Sequence, residues 1–173
     1  MQARSFWKAV TVDRSNLLER FFDLLKGHGI RHCLIGGQAL NAYVDPVVSL
    51  DLDVVVASDQ LSGIESILSG HFDVERFPQS LNVSETGSDL RIQIQLDPRY
   101  AGFLERATTR QVLGFSVPVA AIDDLLRGKV WAVQDPARRG SKRLKDLADI
   151  ARVIERYPDL RPLVPEDVLV RLL

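Results

Sequence analysis

A single cysteine, Cys33, stands in the 173 residues, so no disulfide can form within the chain. That scarcity fits a reducing compartment and supports a cytoplasmic location as the expectation. Cys33 sits in the apolar run HCLIGG and reads as core rather than as a nucleophile. Long apolar runs are missing as well. Without about 18 consecutive apolar residues, neither a membrane span nor a membrane partner is expected. The opening stretch MQARSFWKAV is too short and too polar for a secretory leader. Trp7 and Trp131 have no aromatic neighbours in a pattern, which argues against base stacking by either. His28, His32 and His71 are scattered, and no second ligand stands at a spacing that suits zinc. A G-x-x-x-x-G-K-[ST] loop is absent, which argues against P-loop kinase chemistry. Repeats, low-complexity tracts and an interdomain linker are also lacking.

One charge sign is not in excess: the formal net charge is -1, so bulk charge gives no argument for a nucleic-acid binder. The distribution says more. Between Arg127 and Lys145 stand seven basic residues, opposed only by Asp135. Arg138, Arg139, Lys142 and Arg143 suit contact with a triphosphate or an RNA backbone, and equally suit a solvated loop and helix face.

The 46% hydrophobic content suits one domain with a sizeable core, spanning 1–173, with a core section over 30–120 and a helical section over 121–173. Asp13 or Ser15 can cap a first helix carrying Leu17, Phe21, Leu24 and Leu25, ended by Gly27 and Gly29. Strands are expected over 32–35, 50–57, 72–77, 81–85 and 90–96, with Gly87-Ser88 as a hairpin turn. Another is expected near 111–117, broken by Pro118. Short helices fit 38–43 and 103–107. Ser58 or Asp59 can cap one carrying Leu61, Ile64, Ile67 and Leu68. Helices follow over 121–133 and from Ser141 to Pro158, the latter with Leu144, Leu147, Ile150, Ala151 and Ile154 as its apolar face. A last turn or two fits 167–173. Short loops between strands and helices favour one α+β domain with helices packed on a mixed sheet.

The chemistry centres on the run SLDLDVVVA. Asp51 and Asp53 lie two apart in a strand and so point to one face. Two carboxylates on one face can hold a divalent metal against a triphosphate. The Gly36-Gly37 pair, just after a strand, lets backbone approach phosphate without a β-carbon in the way. Ser49 shares the strand parity of the acids and suits orienting a phosphate or the first carboxylate. A glycine pair alone is often only a tight turn, and an isolated D-x-D is often an exposed strand edge; the combination in this order points to nucleotidyl transfer.

These motifs resemble those of the nucleotidyltransferase superfamily, the fold of DNA polymerase beta, and among its members the small bacterial proteins around the AbiE-type abortive-infection toxins. The resemblance rests on LIGGQALNAY, with Gly36 and Gly37; on SLDLD, with Ser49, Asp51 and Asp53; and on the late helices GKVWA and RRGSKRLKDLADI, with Lys129, Lys145, Asp146 and Asp149. It covers about residues 30–155. It implies a mixed twisted sheet flanked by helices, Mg²⁺ or Mn²⁺ on Asp51 and Asp53, and phosphate cradled by Gly36 and Gly37. It also implies Lys129 and Lys145 in the cleft; from the basic section itself, Arg138 and Arg139 are the candidates for ligand contact. The chain departs from the pattern at RIQIQLD, where Gln93 stands in place of a third acid. An amide coordinates metal weakly and cannot act as a base. Asp89 and Asp97 share the parity of Gln93 but lie roughly 13 Å away along a regular strand. Glu75 or Glu85 would have to reach in from a neighbouring strand.

Two functions follow as expectations. The first is a metal-dependent nucleotidyltransferase moving a nucleoside monophosphate from a nucleoside triphosphate to a hydroxyl of tRNA, protein or a small molecule. The alternative is a catalytically degenerate relative that keeps the fold and nucleotide binding. That relative would act as a regulator or as one half of a toxin–antitoxin pair, with a cognate antitoxin or regulator as partner.

Overall fold

The structure, a computed structural model, describes residues 15–172; Trp7, the stretch MQARSFWKAV, Asp13 and Leu173 lie outside them. The first described helix, α1 (Leu17–Gly27), buries Leu17, Leu18, Phe21 and Leu25. Its cap is Asn16 in a left-handed conformation rather than Ser15. It leads through Gly29 (φ +63) into β1 (His32–Ile35), then α2 (Gly36–Leu40) and β2 (Asp51–Val56). A 3₁₀ turn (Ser58–Gln60) runs into α3 (Leu61–Ser69), with Gln60 as N-cap and no side-chain cap from Ser58 or Asp59. Next come β3 (Asp73–Phe77), β4 (Ser80–Ser84), β5 (Arg91–Gln95) and α4 (Phe103–Arg106). The chain closes with β6 (Thr108–Val112), β7 (Phe115–Val119), α5 (Ile122–Gln134), α6 (Gly140–Arg156) and α7 (Glu166–Leu169).

The seven strands form one mixed sheet in the order β3-β4-β5-β2-β1-β7-β6. Alternation in sequence becomes two faces in register. Leu52 pairs with Ile92 and Val54 with Ile94, while β4 adds Val83 beside Ile92 and Leu81 beside Ile94. All six are buried, and each fully buried aliphatic side chain contributes about 1.5–3 kcal/mol. On the opposite face the same register sets Asp51 beside Arg91 and Asp53 beside Gln93. The expected α+β architecture, a mixed sheet with helices and a helical C-terminal section, is what the chain forms. Helix α5 packs on both α2 and α6, which brings the late section over the ends of β1 and β2.

Two expectations need correction. Residues 108–119 form a hairpin rather than one strand broken by Pro118. Leu113 (φ +54) and Gly114 (φ +80) make the two-residue turn, and Pro118 pairs with Thr109 inside β7. Pro118 is tolerated because β1 joins β7 only near Val119, so no long second ladder needs its missing N–H. In α6, Leu144 is 68% exposed and the buried stripe is Asp146, Leu147, Ile150 and Val153. The helix is rotated because Asp146 faces inward to meet cations.

Cys33 is fully buried, and burial, helped by Asp124, pushes its thiol up to about 12, as suits a core residue. Asp124 is itself fully buried and accepts from Arg106 at 2.7 and 3.0 Å, clamping α4 to α5. Among the described residues no helix is long and apolar enough to cross a membrane.

Candidate active site

The end of β1 meets the middle of β2 at Ile35 and Asp53. The next residue, Gly36, has φ +74, and a β-carbon there would stand 2.3 Å from Asp53 Oδ2. Backbone conformation and space both demand glycine at this point. Gly37 has no such constraint, since its β-carbon would meet only Asp149 Oδ2 at 3.9 Å. Gly36 lines the cleft with Asp51 and Asp53, and Gly37 does not. Ser49 also stays out of the cleft lining. Its hydroxyl takes the Asp51 N–H at 3.2 Å, and its carbonyl accepts from Gln38 at 2.6 Å, so it fixes the entry of β2 rather than facing a ligand.

Asp51 carries two cations. Arg91 Nε lies 3.0 Å from one oxygen and Lys142 Nζ 2.9 Å from the other. Burial raises the Asp51 carboxyl, but Lys142 and Arg91 outweigh it and hold the group below its ordinary value. Among the described residues Asp53 has no direct ion pair. Burial pushes it up to about 6; Lys129 pulls it down and Asp51 pushes it further up. The two acids of the pair are thus held in different electrostatic states.

Lys129 reaches the cleft from α5 and is held by two carboxylates of α6, Asp146 at 2.9 Å and Asp149 at 2.8 Å. Burial works against its charge, but the two acids prevail and raise it. Arg138 shares Asp146 at 2.8 Å, and Arg152 shares Asp149 at 2.8 Å. The structure therefore brings Asp51, Asp53, Gln93, Gly36, Lys129 and Arg138 together. Lys145 and Arg139 are exposed and do not line the cleft. The inward stripe of α6 runs through Lys142, Asp146 and Asp149, and Lys145 lies on its solvent side. Lys142 takes the cleft position expected of Lys145.

Sequence reading missed the aromatic wall. Trp131 lines the cleft with Tyr100 and Phe103, its ring centroid 5.3 and 5.8 Å from theirs, and the Arg99 guanidinium lies 4.8 Å over it. Arg99, Tyr100 and Phe103 lie close in sequence, but Trp131 comes from α5, so no local pattern announces the wall. Arg91 was legible only as the outward neighbour of Gln93 in RIQIQ.

The third acid is replaced. Gln93 is the direct cross-strand neighbour of Asp53. Glu75 pairs with Asn82, which pairs with Gln93, so it stands three strands from Asp53, roughly 14 Å at ordinary strand spacing. Glu85 is bound to Arg20 at 2.6 Å. Asp97 lines the cleft but is gripped by Arg99, which holds its carboxyl low. Among the described residues no group of three His, Cys, Asp or Glu side chains is placed to hold a metal ion. The two hard carboxylates still suit one divalent cation whose other ligands are water and phosphate oxygen. The ammonium on Asp51 already stands where a cation is wanted. The donor set does not suit two ions. The cleft has a volume of about 210 Å³.

A family model described as "Nucleotidyl transferase AbiEii toxin, Type IV TA system" matches residues 17–173. Comparison with curated proteins finds no match. Among solved structures, the antibiotic-resistance factor ANT(2'')-Ia superposes with a TM-score of 0.60 at 12% identity, over 86% of this chain and 89% of that one. The lincosamide antibiotic adenylyltransferase LnuA, lincomycin-bound, gives 0.54 at 10% identity, over 83% and 99%. JHP933 from Helicobacter pylori gives 0.51 at 18% identity, over 93% and 74%. At these identities the likeness is one of fold. The fold, the Gly36–Asp51–Asp53 cleft and the family match over nearly the whole chain agree: the chain belongs to the AbiEii family of the nucleotidyltransferase superfamily.

Proposed function

We propose that this chain is a nucleotide-binding nucleotidyltransferase-fold protein whose site lacks the carboxylate that activates an acceptor. On this reading it acts through nucleotide binding and contact with a cognate antitoxin or regulator. The observation that carries the reading is Gln93 beside Asp53. Transfer by two metal ions needs negative charge to hold the ion that activates the attacking oxygen, and a neutral amide supplies none. Asp51 and Asp53 would hold one Mg²⁺ or Mn²⁺. Bound there, such an ion would neutralise and orient a triphosphate. Gly36 permits close backbone approach, and Lys129 and Arg138 keep positive charge at the cleft. A toxin–antitoxin partner is the class that the family description supports.

The full transferase reading has one observation in its favour. The acid pair, Gly36 and Lys129 line one cleft although they come from three separate elements, β2, α2 and α5. On that reading a nucleoside monophosphate passes from a nucleoside triphosphate to a hydroxyl of tRNA, protein or a small molecule.

Calorimetric titration of each nucleoside triphosphate, with Mg²⁺ and then with EDTA, tests the proposal on wild type and Asp51→Asn. Metal-dependent binding that Asp51→Asn abolishes, with no transfer of an α-labelled nucleotide to tRNA, protein or water, is the expected result. Labelled product from wild type would overturn the degenerate reading in favour of the transferase. Absence of binding by all four nucleotides would remove the nucleotide from both.

A further inference from the structure

The cations of the cleft fall into two kinds. Lys129 is 13% exposed and its ammonium touches two carboxylates at once. Arg138 is fastened to Asp146, which is only 1% exposed. Drawing Lys129 away from its acids would leave buried charge uncompensated, at a cost of several kcal/mol, and Arg138, itself 34% exposed, is tied to an acid that is buried. Lys142 differs. It is 33% exposed, stands in the first turn of α6, and has Asp51 as its only charged partner among the described residues. An ion pair this accessible is worth about 0–1 kcal/mol, so it exchanges readily. Arg91, on the other oxygen of Asp51, is 64% exposed and equally free to move.

We propose that Lys142 is an exchangeable cation of the nucleotide site. In the ligand-free protein its ammonium covers Asp51; when a nucleotide enters with its divalent ion, Lys142 leaves Asp51 and takes a phosphate oxygen of the ligand. This inference rests on the nucleotide-binding reading above and adds to it a device that couples the two ligands. A divalent ion arriving alone must displace an ammonium that gains nothing in return. With nucleotide present, the displaced ammonium gains a phosphate partner. Ion and nucleotide therefore favour each other, and the coupling acts equally in both directions. The neutral side chain beside Asp53 adds to this effect. With Gln93 neutral, Asp51 and Asp53 are the anionic donors at the floor, and one internal cation on Asp51 is enough to hold a free ion off.

The test uses the whole chain and two titrations. The first follows Mn²⁺ alone by electron paramagnetic resonance. The second follows each nucleoside triphosphate with Mg²⁺ by calorimetry. Wild type is compared with Lys142→Met, Lys142→Gln and Asp51→Asn, and circular dichroism confirms that each is folded. Both Lys142 variants are expected to bind Mn²⁺ alone more tightly, by up to about fivefold, and Mg²⁺–nucleotide at least tenfold more weakly. A merely structural role would shift both affinities the same way. Shifts of the same sign, or no shift, in a wild-type background that binds nucleotide would overturn the exchange and leave the nucleotide site standing. Wild type that binds no nucleotide would overturn the exchange together with the reading on which it rests.

Discussion

Lys129 Nζ lies 2.9 Å from Oδ1 of Asp146, a carboxylate only 1% exposed, and this contact joins α5 to α6 beneath the cleft. Asp146 also accepts from Arg138, so one buried acid positions two cations of the site. Asp146→Ala leaves both cations without it and is expected to cost about 2–4 kcal/mol, as removal of one partner from a buried pair does. Replacing both members, Lys129→Met with Asp146→Leu, is expected to recover most of that loss, because an apolar pair needs no desolvation. Urea denaturation of the single and double variants measures both. Equal destabilisation of the single and double variants would show that the pair is not what α5 and α6 rely on.

The two glycines of LIGG separate cleanly. Gly36→Ala places a β-carbon 2.3 Å from Asp53 Oδ2 at a φ of +74, so both the backbone and the acid must shift. A loss of about 1–3 kcal/mol is expected, as for a residue forced into a left-handed conformation. Gly37→Ala meets nothing closer than 3.9 Å, lies within a helix, and is expected to be neutral or to add about 0.5–1 kcal/mol. Thermal melts of the two variants give the comparison. Similar melting points would mean that Asp53 yields to Gly36→Ala at no cost.

Asp53 makes ligand-free stability depend on pH. Its carboxyl is pushed up to about 6 in the folded chain from an ordinary 3.8. Between those values the folded state binds the extra proton. The contribution of Asp53 to stability is therefore greatest below about 4, falls as pH rises toward 6, and is level above. Asp53→Asn removes this loss. In EDTA it is expected to be more stable than wild type at pH 7.5, by about 1–2 kcal/mol after allowance for the open cleft, with the difference gone at pH 4. Denaturation curves at the two pH values check the sign. A variant less stable than wild type at pH 7.5 would show that Lys129 and its neighbours more than offset the burial of Asp53.

Much of this was legible in the sequence, and the misses come from contacts between elements and from one unusual backbone conformation. Period-two alternation in SLDLDVVV and RIQIQ told the faces of β2 and β5 apart. The positions of Asp51, Asp53 and Gln93 therefore followed from parity alone. The helical phase of α6 did not. An apolar stripe through Leu144 was the natural reading, yet the helix turns Asp146 inward to meet Lys129, a pairing over 17 residues that no local period encodes. That rotation sends Lys142 to the cleft and Lys145 to solvent. The hairpin over 108–119 was hidden by a left-handed Leu113, a conformation leucine seldom adopts. Tyr100 and Trp131 meet only once α5 lies across the sheet.

Gln93→Asp tests the reading that the neutral side chain at 93 limits the site. Gln93→Asp would set a third carboxylate directly beside Asp53, on the face that already carries Asp51. The added charge is expected to raise the affinity for Mn²⁺ at least tenfold. It should also lower ligand-free stability at neutral pH by about 1 kcal/mol, since like charges directly opposite in a sheet repel. Gln93→Asn changes length without charge and should do neither. Mn²⁺ titration and urea denaturation of the two variants read the two effects independently. If Gln93→Asp gains affinity and also releases labelled pyrophosphate from a γ-labelled nucleoside triphosphate, one amide is what separates the chain from transfer chemistry. If it gains no affinity, the cation site does not extend to β5, and the degenerate reading must rest on the ion pairs of Asp51 instead.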